Sequence, residues 1–342
     1  MTPISVRDAT AQDAEAIASV ARTSWADTYR DIFDPAFIAE FLDANYQPAA
    51  LASQAERAAA SPDGHFLVAE RDGSVVAYAQ FGVGTRGPEL FRIYADPAHF
   101  GTGAGSALLG ELHRRLEGRV DAYVVEVHSQ NERGRAFYDR NGFVIVGDGT
   151  LMPGCDLVLR RTLRPVRPTL PVETERLRLR ALAADDVEGL HRIYGDAETM
   201  RHVGRGRRPT ADIEGTRRAA DFVRRHADIH GFSMWAVDER HGEELVGIAG
   251  LIWVEGHGPE VEAAYVLRRD RWGRGYATEA LREVLRIGHD ELGLQRIVAL
   301  AYPENDASRH VMEKAGMRPV GTEKAYGSEL TKHVSERPGP TD

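Results

Sequence analysis

The sequence predicts an α/β protein of two similar domains in tandem, each a mixed, mostly antiparallel sheet with helices on both faces. Three observations predict it. A proline-rich stretch halves the chain, the two halves repeat one another, and each half runs from hairpin strands into a strand–helix–strand–helix order.

The boundary is LRPVRPTLPVE at 163–173, where Pro165, Pro168 and Pro171 recur at three-residue spacing. Such a segment favours extended polyproline II and reads as a semi-rigid spacer. It leaves domains at 1–162 and 174–336, with a tail at 337–342 (RPGPTD) expected to be disordered.

The repeat is specific. ELFRIYADP leads into GTGAGSALLGELHRRL, then AYVVEV, then an Asn and RAFYDRNGF; EVEAAYVLRRD leads into GRGYATEALREVL, then IVALAY, then an Asn and RHVMEKAGM. Gly103 and Gly275 lie 172 residues apart, whereas Asn131 and Asn305, and Gly142 and Gly316, lie 174 apart.

Element by element, the first half reads as a strand near 4–7, a helix at 11–21, and helices at 34–44 and 49–60, the first of these two with Pro35 at its opening position. Strands at 66–71 and 74–81 are joined by Asp72-Gly73, a strong hairpin signal. A strand (90–95), a helix (106–117), a strand (122–127), a helix (133–140) and two closing strands follow, and the order repeats from 177 to about 334.

Composition narrows the function classes. A length of 342 residues suits two cores, and 42% hydrophobic with 28% charged residues is ordinary for a globular chain. No apolar run approaches the ~20 residues of a membrane span, and the N-terminus lacks a secretory apolar region, so no membrane partner and a cytoplasmic location are expected. The single cysteine, Cys155, excludes an intramolecular disulfide and a Cys-based zinc site. His128, His257 and His289 form no metal-ligand spacing, so no metal is expected. A net charge of −9 argues against nucleic acid and is compatible with a cationic amine. Arginine supplies nearly all the positive charge, with lysine only at Lys314, Lys324 and Lys332, which fits the codon bias of a GC-rich bacterium.

The chemistry centres on two glycine-rich turns between a strand and an amphipathic helix: Gly101, Gly103, Ala104 and Gly105 in one half, and Gly273, Arg274, Gly275, Tyr276 and Ala277 in the other. Glycine lets the backbone approach a ligand, and the unpaired N–H groups of a helix start, with the dipole's partial positive charge, suit a pyrophosphate. A Rossmann dinucleotide site, with Glu126 as its ribose acid, is the first rival. The GxGxG spacing, Arg92 within the preceding strand and the mid-domain position count against it. A tight turn without a ligand is the plain alternative.

With these residues in hand, the order strand, glycine loop, helix, strand, Asn, helix resembles the GCN5-related N-acetyltransferase (GNAT) superfamily over 4–160 and 175–334. TERLRLRAL, FSMWAVDE, LVGIAGL, RWGRGYATEA and NDASRHVMEKAGM resemble the group that acetylates ribosomal-protein N-termini; the first half resembles the general type. The resemblance implies acetyl-CoA as cosubstrate and direct acetyl transfer to a primary amine, either a small molecule or a protein N-terminus. It also implies backbone pairing of the pantetheine with Ile93, Tyr94, Ala95 and Asp96, and with Val266, Leu267 and Arg268.

Under the same resemblance, Tyr138, seven residues after Asn131, stands where many members place the proton donor for the coenzyme thiolate; the alternative is a core tyrosine beside Phe137. Met312 occupies the equivalent position and cannot donate, leaving Ser308 as the available hydroxyl, or else as a helix N-cap. Asn131 and Asn305 would hold pantetheine or backbone groups, or serve as caps. Glu89 and Glu262 open the strands before the loops and are the general-base candidates; exposed strand-end carboxylates are the alternative. Trp25, Tyr29, Trp235 and Trp253 either wall acceptor pockets or fill cores, and the pockets are expected in the loops around 29–35, 200–209 and 253–260. Cys155 is not expected to be a nucleophile. Phe100 and Thr102 replace usual basic positions in the first loop, which predicts weaker coenzyme binding there. The other reading of the chain is an acetyl-CoA-binding sensor or interaction protein with one or both domains inactive. Monomer and homodimer are both compatible.

Overall fold

A computed structural model describes residues 2–150, 156–203, 212–242 and 244–337. Cys155, residues 204–209 of one expected pocket loop and all but the first residue of the 337–342 tail lie outside them. The chain divides into a unit of Met1–Arg164 and a unit of Pro165–Asp342.

In the first unit β1 (Ser5–Asp8) is followed by α1 (Ala14–Thr28), α2 (Pro35–Asn45) and α3 (Pro48–Ala60). The strands β2 (His65–Arg71), β3 (Ser74–Gly84) and β4 (Gly87–Ala95) lead to α4 (Ala104–Leu116), β5 (Ala122–His128), α5 (Glu132–Arg140), β6 (Phe143–Asp148) and β7 (Asp156–Thr162). The sheet order is β1-β2-β3-β4-β5-β7-β6, antiparallel except for the β4–β5 pair.

The second unit opens with β8 (Val172–Glu173) and β9 (Leu177–Arg180), then α6 (Val187–Tyr194), α7 (Ala197–Met200) and α8 (Ile213–His230). The strands β10 (Met234–Glu239), β11 (Leu245–Trp253) and β12 (Val261–Leu267) precede α9 (Tyr276–Arg286), β13 (Arg296–Ala301), α10 (Asp306–Lys314), β14 (Arg318–Ala325) and β15 (Ser328–Glu336). Its order, β8-β9-β10-β11-β12-β13-β15-β14, is antiparallel except at β12–β13.

Period-two patterning packs helices on both faces of each sheet. Along β2, Leu67 and Ala69 join a core with Leu108, Leu109 and Leu112 of α4, while Phe66 and Val68 join another with Ile17, Ala21 and Trp25 of α1. Along β10, Trp235 and Val237 face Leu281 and Val284 of α9, while Met234 and Ala236 face Leu190 of α6 and Val223 of α8.

The proline-rich segment behaves differently from a free spacer. Arg167 donates to the carbonyls of Ala227 and Asp228 at 3.1 Å each, the Thr169 N–H donates to Glu291 at 2.8 Å, and Leu170 packs on the second unit's core. Its apolar and polar groups find partners there, and Val172–Glu173 ends it as a strand. The helix expected at 11–21 instead starts at Ala14, after a short turn at 11–13 capped by Thr10 and Asp13, and runs on to Thr28.

Candidate active site

In each unit the one parallel strand pair is registered at a single position, and that position is a predicted base: Glu89 opposite Val124, and Glu262 opposite Val298. Among the described residues neither pair has a second registered position toward the C-terminal strand ends, and in open α/β sheets ligands bind outside those ends. β4 and β12, carrying Ile93, Tyr94 and Ala95 or Val266 and Leu267, run from the glutamate to the glycine loop.

Both loops need glycine for their backbone. Gly101 and Gly103 have φ of 73° and 91°, Gly273 and Gly275 of 74° and 78°, all in the left-handed region. Gly103 and Gly275 are the N-caps of α4 and α9, so the first-turn N–H groups of both helices face outward over a glycine. Gly105 has a different reason: a Cβ there would lie 2.9 Å from the Phe137 ring, so it makes room for α5 against α4.

The second loop is clamped in a way its sequence did not announce. Thr174 Oγ1 and the Arg176 N–H donate to Glu279 Oε1 at 2.6 and 2.8 Å, and Arg176 Nε donates to Oε2 at 2.7 Å. Arg176 Nη1 then donates to the Arg274 carbonyl at 2.8 Å, and its guanidinium lies 5.0 Å over the Tyr276 ring. Tyr276 Oη donates to Glu239 at 3.1 Å. Ala107 stands in the first half where Glu279 stands in the second, so that clamp has no counterpart there. The first loop gains a cation from elsewhere: Arg133 of α5 sits 4.4 Å over the ring of Phe100 and pairs with Asp27 at 2.6 Å.

The two glutamates differ. Glu262 is buried, 7% exposed, and burial pushes its carboxyl up to about 7 against the opposing pull of hydrogen bonds from Tyr326 and the Leu300 N–H. Tyr326 Oη donates to its Oε2 at 2.5 Å. The exposed-carboxylate reading therefore does not hold for Glu262. Glu89 is half-buried and folds over the β3–β4 turn, where a Cβ on Gly84 would fall 2.1 Å from its Oε2. Glu126, the rival ribose acid, is ion-paired with Arg86.

Asn131 and Asn305 are both N-caps, accepting from the N–H of Gly134 at 2.8 Å and of Ser308 at 3.1 Å. This corrects the cap reading of Ser308, which sits one turn inside α10 because the short Asn305 carbonyl already reaches its N–H. Its hydroxyl is thereby left to meet Tyr265 Oη at 2.8 Å, and that phenol also donates to the Ser308 carbonyl at 3.1 Å. Burial pushes Tyr265 up to about 12. Tyr138 and Met312 are both buried; Tyr138 packs 5.0 Å from Phe143, and burial raises its phenol. Trp25, Tyr29 and Trp235 are core residues, whereas Trp253 is half-buried against Phe232 and His230. His128 Nδ1 accepts from the Gln130 N–H, His257 Nδ1 meets the Gly258 carbonyl, and His289 bonds the Leu294 carbonyl and Ser335 Oγ.

Sequence reasoning missed Tyr265, Arg176 and Tyr326. Tyr326 carried a signal: Tyr326-Gly327 joins β14 to β15 with both residues at positive φ (54° and 73°), a turn that ordinarily prefers Asn-Gly. A bulky residue in that region is a backbone outlier that its surroundings must hold in place.

Residues 25–143 match the acetyltransferase (GNAT) family, and residues 176–318 match an acetyltransferase (GNAT) domain. An uncharacterised N-acetyltransferase of Mycobacterium tuberculosis is 32% identical over 44% of this chain and 98% of its own length. A spermidine N(1)-acetyltransferase of Thermoplasma acidophilum is 28% identical over 42% of this chain and 89% of its own. The crystal structure of PaiA N-acetyltransferase from Thermoplasma acidophilum, in complex with coenzyme A, is 26% identical with a TM-score of 0.43, over 47% of this chain and 99% of that one. The chain belongs to the GNAT acetyltransferase family: it is an acyltransferase with two GNAT domains in tandem.

Proposed function

We propose that the chain transfers the acetyl group of acetyl-CoA directly to a primary amine, and that the second domain, within 174–336, carries the turnover. The observation that supports this is Glu262, buried at the one registered pair of the parallel strands and titrating near neutrality. Both loops fit a pyrophosphate through glycine backbones and helix-start N–H groups, and the residues of β12 fit a pantetheine strand. Acetyl-CoA supplies the thioester carbonyl. Glu262 takes a proton from the acceptor ammonium, directly or through water, and the freed amine replaces sulfur on the acetyl carbon. β12 N–H groups steady the developing oxyanion. The Tyr265–Ser308 hydroxyl pair returns a proton to the departing thiolate, in the place that Met312 cannot fill.

The acceptor is a small amine, with polyamines first because a similar protein is named for spermidine, or a protein N-terminus, after the ribosomal-protein resemblance of 174–336. A second reading gives the first domain its own turnover. It is favoured by Tyr138 and by a one-residue register shift that leaves Phe91 of β4 unpaired beside Glu89, since bulges re-aim groups next to active sites. Free-thiol release from acetyl-CoA over a panel of polyamines, other amines and N-terminal peptides tests the activity. No thiol release on any acceptor, with coenzyme still bound, favours a sensor.

A further inference from the structure

Glu262 is held by more than its own strand. The turn after β11 brings Glu255 to φ 55°, and the β14–β15 turn brings Tyr326 to φ 54°, the left-handed region in both cases. The two turns clasp each other: the Tyr326 N–H donates to Glu255 Oε1 at 2.7 Å, and the Glu255 N–H donates to Tyr326 Oη at 3.1 Å. With one lone pair of the phenol oxygen taken by that N–H, its own proton is aimed at Glu262 Oε2, 2.5 Å away. A strained backbone on both sides, tied by these two reciprocal hydrogen bonds, fixes where the hydroxyl points.

We propose that Tyr326 is a positioning residue for the reaction: through the Glu255 clasp it donates one fixed hydrogen bond to Glu262 and orients that carboxylate to accept the acceptor's proton. This rests on the reading of Glu262 as the base.

The charges around Glu262 agree with the assignment. Burial and the like charge of Glu323 raise its proton affinity, while the Tyr326 hydroxyl and the Leu300 N–H lower it. Lys332 salt-bridges Glu323 at 2.6 Å and also pairs with Glu260, which tempers the nearby carboxylates. Burial and the Glu262 charge raise the Tyr326 phenol, so it stays protonated and remains a donor throughout the working range.

The test is the titration of Glu262 itself in the full chain, by carbon NMR of protein labelled at the glutamate carboxyl and assigned with Glu262→Gln. Tyr326→Phe keeps the ring and removes the donor; the Glu262 midpoint is expected to rise by about one pH unit. A fluorinated tyrosine placed at 326 is a stronger donor of the same shape and is expected to move the midpoint downward, which keeps the test decisive if Tyr326→Phe folds poorly. A midpoint unmoved in the Phe protein, or moved the same way in both, overturns the inference. The base reading fails separately: a Glu262→Gln protein that releases thiol at the wild-type rate removes the reaction that the tuning serves, whatever the titration shows.

Discussion

Ser308 Oγ lies 2.8 Å from Tyr265 Oη, bringing a hydroxyl of α10 onto the strand that precedes the second glycine loop. The contact exists because Asn305 caps the helix and leaves Ser308 free. In the first unit the corresponding helix carries Tyr138 in its core, so the two units place hydroxyls by different routes.

Removing that pair should slow loss of the thiolate rather than binding. Tyr265→Phe is expected to lower kcat by about tenfold to a hundredfold with little change in KM for acetyl-CoA, and Ser308→Ala by less, because the phenol remains. Steady-state thiol release checks this. Unchanged kcat in both variants removes the pair from the chemistry.

With Glu262 as the proposed base, it is expected to set the acid side of the pH profile. Its carboxyl, raised by burial to about 7, is a base only above that pH, so wild-type kcat should climb through neutrality and level off. Glu262→Gln is expected to lose about a hundredfold in kcat and the bend with it. The same bend in the variant would assign it to another group.

Each unit has its own arginine–dicarboxylate cluster of the same kind, and the cluster predicts acid sensitivity. Arg7 grips Asp13 at 2.8 Å and Glu70 at 2.5 Å; Arg180 grips Asp186 and Asp238, each at 2.7 Å. The hydrogen bond from Arg7 pulls Asp13 down to about 2. A carboxyl that holds its proton less tightly when folded stabilises the fold above its unfolded pKa near 4, and this stability is lost as pH falls through about 2. Arg7→Met is expected to cost about 1–2 kcal/mol at neutral pH, discounted for the partly exposed guanidinium, and to flatten the loss between pH 4 and 2. Urea unfolding from pH 7 down to pH 2 reads both.

Much of the architecture was legible because it rests on local rules. The glycine spacing marked the turns where Gly103 and Gly275 take left-handed backbone, and the apolar runs FLVA of β2 and MWAV of β10 suit strands covered on both faces. What escaped depends on contacts distant in sequence. Arg176 reaches Glu279, 103 residues on, and Tyr326 reaches Glu262 from 64 residues away; neither spacing has a local signature. The first loop's lost cation is answered by Arg133 stacked on Phe100, and nothing in the loop's own residues foretells it. The burial of Glu262 is likewise a property of the turns that close over it.

The most direct test of the central claim is thiol release from acetyl-CoA, over the amine and peptide panel, by wild type, Gly275→Glu and Gly103→Glu. Either change sets a negative charge and a strained side chain at a helix start proposed to hold the coenzyme pyrophosphate, and is expected to weaken coenzyme binding on the order of a hundredfold in its own domain. The account expects Gly275→Glu to abolish turnover and Gly103→Glu to leave most of it. Turnover unchanged in both, or lost only with Gly103→Glu, would contradict it.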